Sequence, residues 1–270
     1  MISHIRPALL VTALAVAGTL VTATILTAGW TRVPSARSVV AVGGGHPVAA
    51  RGDAAASSGP VRPAASSQAV ASALTSRRLE VPWYRQTRHL TCEEASLRMA
   101  LASRGITSTE DQILAVIGID HTPARYDGAE LRWGDPYRSF VGDPDGSEVT
   151  KTGYGTYYPT IAEAANRLGG RVLAAGEGYS AAWVYGQILA GHPVVAWVAY
   201  LWSDPPRQDY VAFDGRRIPY AGPFEHAVTV VGVTAAEVVI NNPASGVETI
   251  DKATFARSFA TYGGMAVVLV

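Results

Sequence analysis

The aliphatic runs able to form sheet are crowded into the last third of the chain. They are "PVVAWVAY" (193–200), "HAVTVVGV" (226–233), "EVVIN" (237–241) and "MAVVLV" (265–270), most of them flanked by Gly, Pro or Asn. Only "TAA" separates the middle two, a spacing that predicts a tight hairpin. Helical patterns come first: one opening at Cys92, then "STEDQILAVI" (108–117), "TIAEAANRL" (160–168) and "SAAWVYGQILA" (180–190), with "DKATFARSFA" (251–260) following the hairpin. Helices first and strands later predict an α+β fold, N-terminal helices packed on a mainly antiparallel C-terminal sheet.

No comparable core can form before about Val81. Residues 7–29 are an uncharged apolar run of about 23 residues following Arg6, against roughly 20 needed to span a bilayer core as a helix. The run exceeds a signal-peptide core of about 7–15 residues, which favours an uncleaved membrane anchor over a cleaved signal. Either reading sends the rest of the chain outside the cytoplasm. Residues 31–77 are rich in Ala, Gly, Pro and Ser, and read as a disordered linker. The "RGD" at 51–53 lies in this low-complexity stretch and carries little weight as an adhesion motif. The expected organisation is therefore an anchor or signal at 1–30, a linker at 31–77 and one domain at 78–270. A formal net charge of zero, with no basic stripe, argues against a nucleic-acid partner.

The chain has a single cysteine, Cys92, within "RQTRHLTCEEASLRMAL". Thr91 followed three residues later by Glu94 reads as a capping box, so a helix should start at Cys92 and stop near Gly105. Ala95, Ser96, Met99, Ala102 and Ser103 continue one face from Cys92. A thiol in the first turn feels the positive end of the helix dipole, which lowers its pKa, although Glu93 and Glu94 oppose this. Most free cysteines are simply small buried residues. In an exported chain, however, an unpaired thiol is open to oxidation, which tilts the reading towards function.

A base for that thiol emerges by elimination among the six histidines. His4 and His46 fall in the targeting segment and linker, His89 and His121 in polar loops, and His192 in a turn. His226 alone opens a strong apolar strand. A hairpin leaving from His226 returns to the same end near residues 241 and 242, so Asn241 or Asn242 could hold the imidazole's other nitrogen. Asn-Pro is also an ordinary turn signal. Gln86, six residues before Cys92, would place an amide donor near the helix mouth, beside the Cys92 backbone N–H, in an oxyanion hole.

Taken together, Gln86, Cys92, His226 and Asn242 resemble, in order and setting, the papain-like cysteine peptidases. The segments "VPWYRQTRHLTCEEASLRMAL", "GHPVVAWV" and "EHAVTVVGV…VVINNPASG" are most similar to the bacterial branch that processes bacteriocins at double-glycine leaders, over roughly 79–270. The resemblance implies a Cys92–His226–Asn242 triad with Gln86 as oxyanion donor, hydrolysing peptide or protein substrates. That branch usually carries Asp where Asn242 stands, so imidazolium would lack a charged partner here. Leader-processing enzymes are fused to transporters. Nothing in this chain resembles one, so their substrate does not carry over. Two other readings compete: a non-catalytic peptide- or cell-wall-binding module on the same scaffold, and another thiol acyl transfer such as cell-wall amide cleavage.

Residues 118–158 read as a long loop rich in Gly, Asp, Pro and Tyr. Trp133, Tyr137, Phe140, Tyr154, Tyr157 and Tyr158 within it suggest a substrate-cleft wall, with about half of them expected in the core. Its aspartates do not match an EF-hand spacing. One cysteine among scattered histidines gives no zinc pattern, and no metal or cofactor is expected.

Overall fold

A computed structural model of the chain describes residues 75–270. The anchor or signal, nearly all of the linker and the RGD triplet lie outside the described residues. Along the chain run β1 (Arg77–Arg78), α1 (Cys92–Ala102), α2 (Glu110–Ile117), β2 (Ile119–Asp120), β3 (Arg125–Asp127), β4 (Glu130–Trp133) and β5 (Phe140–Val141). Then come α3 (Tyr158–Arg167), β6 (Val172–Gly176), α4 (Ala181–Ala190), β7 (Val194–Ala199), β8 (Tyr210–Ala212) and β9 (Arg217–Ile218). The chain closes with β10 (Glu225–Val233), β11 (Glu237–Asn242), β12 (Gly246–Asp251), α5 (Lys252–Thr261) and β13 (Ala266–Leu269).

The main sheet has the order β12-β11-β10-β7-β13-β6, with β1 paired to the far end of β10, and every pairing is antiparallel. Side chains of β7 alternate between two cores: Val195 and Trp197 pack with α1 and α3 residues on one face. Val194, Ala196 and Val198 pack with residues of α4 and α5 on the other. A sheet covered on both faces needs no polar side, which is why its central strands read as continuous apolar runs. The hairpin expected around "TAA" forms, with Val233 opposite Val238.

Helix α1 is buried on nearly every side, not on one face: Leu97, Ala100 and Leu101 are as enclosed as Cys92, Ser96 and Met99. Its small residues allow close approach to β10. Ser96 Oγ donates to the Ala227 carbonyl at 3.1 Å, and Thr229 Oγ1 donates to the Ser96 carbonyl at 2.8 Å. These two bonds seat the first turn of α1 against the beginning of β10.

The helix does begin at Cys92, but the expected capping box is absent. Thr91 makes no side-chain cap; its hydroxyl goes instead to the Glu110 carboxylate, a charge-assisted bond stronger than a backbone cap. Glu94 is drawn into the core. The capping box of this region belongs to α2, where Thr109 and Gln112 satisfy each other's backbone N–H groups, so that helix opens two residues later than "STEDQ" suggests.

The stretch 118–158 is not a structureless loop. Strand β2 pairs in parallel with β5, while β3 and β4 join β8 and β9 in a second sheet of order β3-β4-β8-β9. Trp133, Phe140, Tyr154 and Tyr157 are fully buried, and Tyr154 sits among Trp133, Tyr157, Tyr210 and Tyr220 with ring centroids 5.3–6.0 Å apart. Of the six aromatics assigned to a cleft wall, Tyr154 alone lines the cleft described below. The others build core or its margin, because an apolar ring gains more from full burial than from a wet wall.

Candidate active site

Cys92 and His226 line the same cleft, of about 390 Å³, at the seam between α1 and β10. The backbone N–H of Ala227, the residue after His226, faces the sulfur. His226 Nε2 lies 2.8 Å from Asn242 Oδ1. That oxygen also accepts the Ala244 N–H at 3.0 Å, and Asn242 Nδ2 donates to Glu248 Oε1 at 3.1 Å. A carboxylate can only accept here, so the amide orientation is fixed, and with it the imidazole tautomer: the proton sits on Nε2 and Nδ1 keeps its lone pair. Asn241, the alternative partner, turns away and donates to the Val81 and Pro82 carbonyls at 3.0 and 3.4 Å. Tyr200 covers the imidazole edge-on, with ring centroids 5.1 Å apart.

The electrostatics differ from those expected of a first-turn thiol. Burial, followed by the neighbouring Glu93 and Glu225 carboxyls, pushes the Cys92 thiol well above its ordinary range. Any help from the helix dipole is overridden. The thiol donates to Glu93 Oε2 at 3.2 Å and lies 3.7 Å from Glu225 Oε2. Burial likewise holds the His226 imidazole down to about 4, with Asn242 and Glu248 pulling it back up. Thiol and imidazole are therefore both neutral at pH 7, not an ion pair.

Around the sulfur lies a buried acidic cluster, of which sequence reasoning weighed only Glu93 and Glu94, as opposing the thiolate, and did not foresee Glu148 or Glu225. Burial pushes Glu93 up to about 7, against the Thr156 N–H that its Oε1 accepts at 2.6 Å. Burial and mutual proximity raise Glu94, Glu148 and Glu225 well above the carboxylate range. The close fit of Glu93 depends on Gly155, where a Cβ would lie 2.2 Å from Glu93 Oε1. The signal available in the sequence was the pair of glutamates touching the two reactive residues, "CEE" and "EH". Charges set directly beside core positions are rarely surface charges. Glu248 was missed altogether, since on an alternating edge strand it resembles any solvated acid.

Gln86 also lines the cleft, but its amide is turned inward on its own loop. Nε2 donates to the Arg88 and His89 carbonyls at 2.9 and 2.8 Å, which occupies both of its hydrogens. It presents no spare N–H to the cleft in this conformation, contrary to the expected oxyanion role. Among the described residues one group has metal-donor geometry: Cys92 Sγ and carboxylate oxygens of Glu93 and Glu225 lie within 4.8 Å of one another. The thiol hydrogen bond accounts for much of that closeness.

A buried helix carrying a thiol at its mouth, set against an antiparallel sheet, is the α+β architecture of papain-like cysteine peptidases. The Peptidase_C39 like family model matches residues 78–267, and the chain belongs to that family of cysteine peptidases. A C39-like peptidase from Bacillus anthracis shares the fold with a TM-score of 0.61 at 23% identity, over 72% of this chain and 98% of that one. The double glycine motif protease of an AMS/PCAT transporter, solved with its leader peptide, gives 0.41 at 18% identity over 71% and 93%. The peptidase domain of Streptococcus ComA, a bi-functional ABC transporter of a quorum sensing pathway, gives 0.43 at 14% over 71% and 98%. No curated protein matches the chain.

Proposed function

We propose that the chain is an extracytoplasmic cysteine peptidase in which Cys92 attacks a peptide carbonyl, His226 moves the proton and Asn242 orients the ring. The observation that carries this reading is His226 Nδ1, without a hydrogen-bond partner among the described residues, in the cleft it shares with Cys92, with Nε2–H held by Asn242. Substrate first draws the thiol proton away from Glu93. The S–H proton passes to His226 Nδ1 as sulfur bonds to the carbonyl carbon. The oxyanion takes the Cys92 backbone N–H, one of the donors a helix leaves unpaired in its first turn. Gln86 joins it by releasing the Arg88 and His89 carbonyls. Nδ1–H then protonates the leaving amine as the C–N bond breaks, and water, deprotonated by His226, cleaves the thioester.

Peptide-library turnover tests this. Wild-type protein should cleave, while Cys92→Ala and His226→Ala should both lose turnover by at least about a thousandfold with unchanged circular dichroism. Cleavage that persists in Cys92→Ala ends the proposal. The location rests on the apolar run at 7–29. No helix among the described residues is long and apolar enough to cross a membrane, so a membrane link would fall to that run. Fractionation of the full chain, compared with one starting at residue 31, checks it.

One observation favours a second reading, a peptide- or cell-wall-binding module. The thiol is neutral and hydrogen-bonded to a carboxyl, as an inert cysteine would be. Such a module would bind peptides or peptidoglycan with no product released. Release of product from peptidoglycan but not from peptides would instead identify cell-wall amide cleavage.

A further inference from the structure

Two of the buried carboxyls have no use in the reaction above. Glu148 and Glu225 both line the cleft beside Cys92 and are 8% and 5% exposed. Glu148 Oε2 and Glu225 Oε1 have no hydrogen-bond partner among the described residues, and neither side chain forms an ion pair with a described residue. The nearby cation, Lys151, places its ammonium on the Glu148 main-chain carbonyl and on the Tyr220 hydroxyl, and acts on the Glu148 carboxyl only from beyond ion-pair distance. A buried carboxyl oxygen without a partner is costly, typically about 1–3 kcal/mol. One such oxygen on each of two carboxyls lining the same cleft calls for a partner, although Glu225 Oε2 takes the Cys92 thiol and the Glu148 carboxyl takes the Glu225 N–H.

The walls suit a particular partner. Tyr200, 38% exposed, offers ring surface in the same cleft. The cleft edge carries an exposed apolar group, Val149 at 72%. An aliphatic stem lying on aromatic and aliphatic surface, with a cationic head between carboxylates, is how lysine and arginine side chains bury themselves.

We propose that Glu148 and Glu225 form a cation subsite that receives the ammonium or guanidinium of a lysine or arginine next to the bond attacked by Cys92. With the cleft empty, burial and proximity push these carboxyls well above the usual carboxylate range and favour their protonated forms. An entering cation lets them ionise, their protons leaving to solvent, so that charge balances within the cleft. The substrate class rests on the peptidase reading, but the subsite can be measured without turnover.

The test uses the full chain in EDTA, which removes metal ions as competing cations. Cys92 is modified with methanethiosulfonates carrying ethylammonium, neutral methyl and ethylsulfonate groups, and the cation-to-anion rate ratio is normalised to that of 2-mercaptoethanol. The ratio should exceed about tenfold in wild type and fall towards one in Glu148→Gln and Glu225→Gln, as expected when one to two kcal/mol of charge discrimination is removed. In wild type, n-butylammonium should slow the neutral reagent where n-butanol does not, a measurement that needs no variant to fold. A normalised ratio near one, or no protection by n-butylammonium, overturns the subsite. Peptides cleaved equally well with lysine or norleucine also overturn it while leaving the peptidase standing. Charge selection without cleavage of any peptide leaves the subsite standing and removes the peptidase reading.

Discussion

Asn242 gives its amide nitrogen to Glu248 Oε1 at 3.1 Å while its oxygen accepts from His226. Glu248 is itself held by Trp202 Nε1 at 2.8 Å and by the Ser245 hydroxyl. The negative charge missing from an Asn partner is thus supplied one residue further out, through a polarised amide. Glu248 already pulls the imidazole upward against burial.

Removing that charge should lower the His226 pKa below its value of about 4, and NMR titration of the ring in Glu248→Gln checks the sign. Asn242→Asp should fare worse than its resemblance to the family's usual acid suggests, because it sets two carboxylates about 3 Å apart. We expect a loss of roughly tenfold in kcat/KM, largely recovered when Glu248→Gln is added. A double-mutant cycle with additive effects would contradict the coupling.

Glu93→Gln should make the thiol easier to ionise. The carboxyl is the largest cause after burial for the raised Cys92 pKa, and below that pKa each unit of lowering gives about tenfold more thiolate. Iodoacetamide labelling at pH 8 should therefore accelerate several-fold, and an unchanged rate would remove Glu93 from control of the sulfur.

The acidic cluster makes stability fall as pH rises. A buried carboxyl whose folded pKa exceeds the unfolded 4.5 keeps its proton when the unfolded chain has lost it. Each pH unit above 4.5 then costs about 1.4 kcal/mol until the folded group ionises. His226 acts in the opposite sense, losing stability as pH falls from 6.5 towards about 4. Four carboxyls outweigh one imidazole, so stability should decline from pH 5 to 7. Glu94→Gln, whose two oxygens have no partner among the described residues, should reduce that slope by up to about 1.4 kcal/mol per pH unit in urea titrations.

Gly155→Ala places a methyl 2.2 Å from Glu93 Oε1, where something must move. We expect about 1–3 kcal/mol of destabilisation from overpacking, together with altered Cys92 labelling as Glu93 is displaced. Wild-type labelling in this variant would show that the carboxyl does not govern the thiol.

The strands and the helix at Cys92 were legible because their patterns are local: continuous apolar runs, a hairpin of three linking residues, a cysteine at a helix mouth. The pairs within 118–158 were not, since strands of two to four residues carry too little pattern to separate from loop. Nor was the six-residue edge strand β12, which exposes Val247 and turns Glu248 inward, against the usual polarity of a strand. The convergence of Cys92 and His226 on one cleft followed from strand order. The protonation of the two did not, because it depends on burial, then on how Glu93 folds back onto the sulfur and on Glu225 reaching it from a distant segment. Nor does a sequence reveal that the hydrogens of Gln86 are already committed to its own loop.

The hydrogen bond from Cys92 to Glu93 also has a chemical cost attached to its breaking and a benefit while it lasts. Peroxides and alkylating agents consume thiolates far faster than thiols. A sulfur that keeps its proton until a ligand arrives ages slowly, and its reactivity is spent on the molecule that unlocks it.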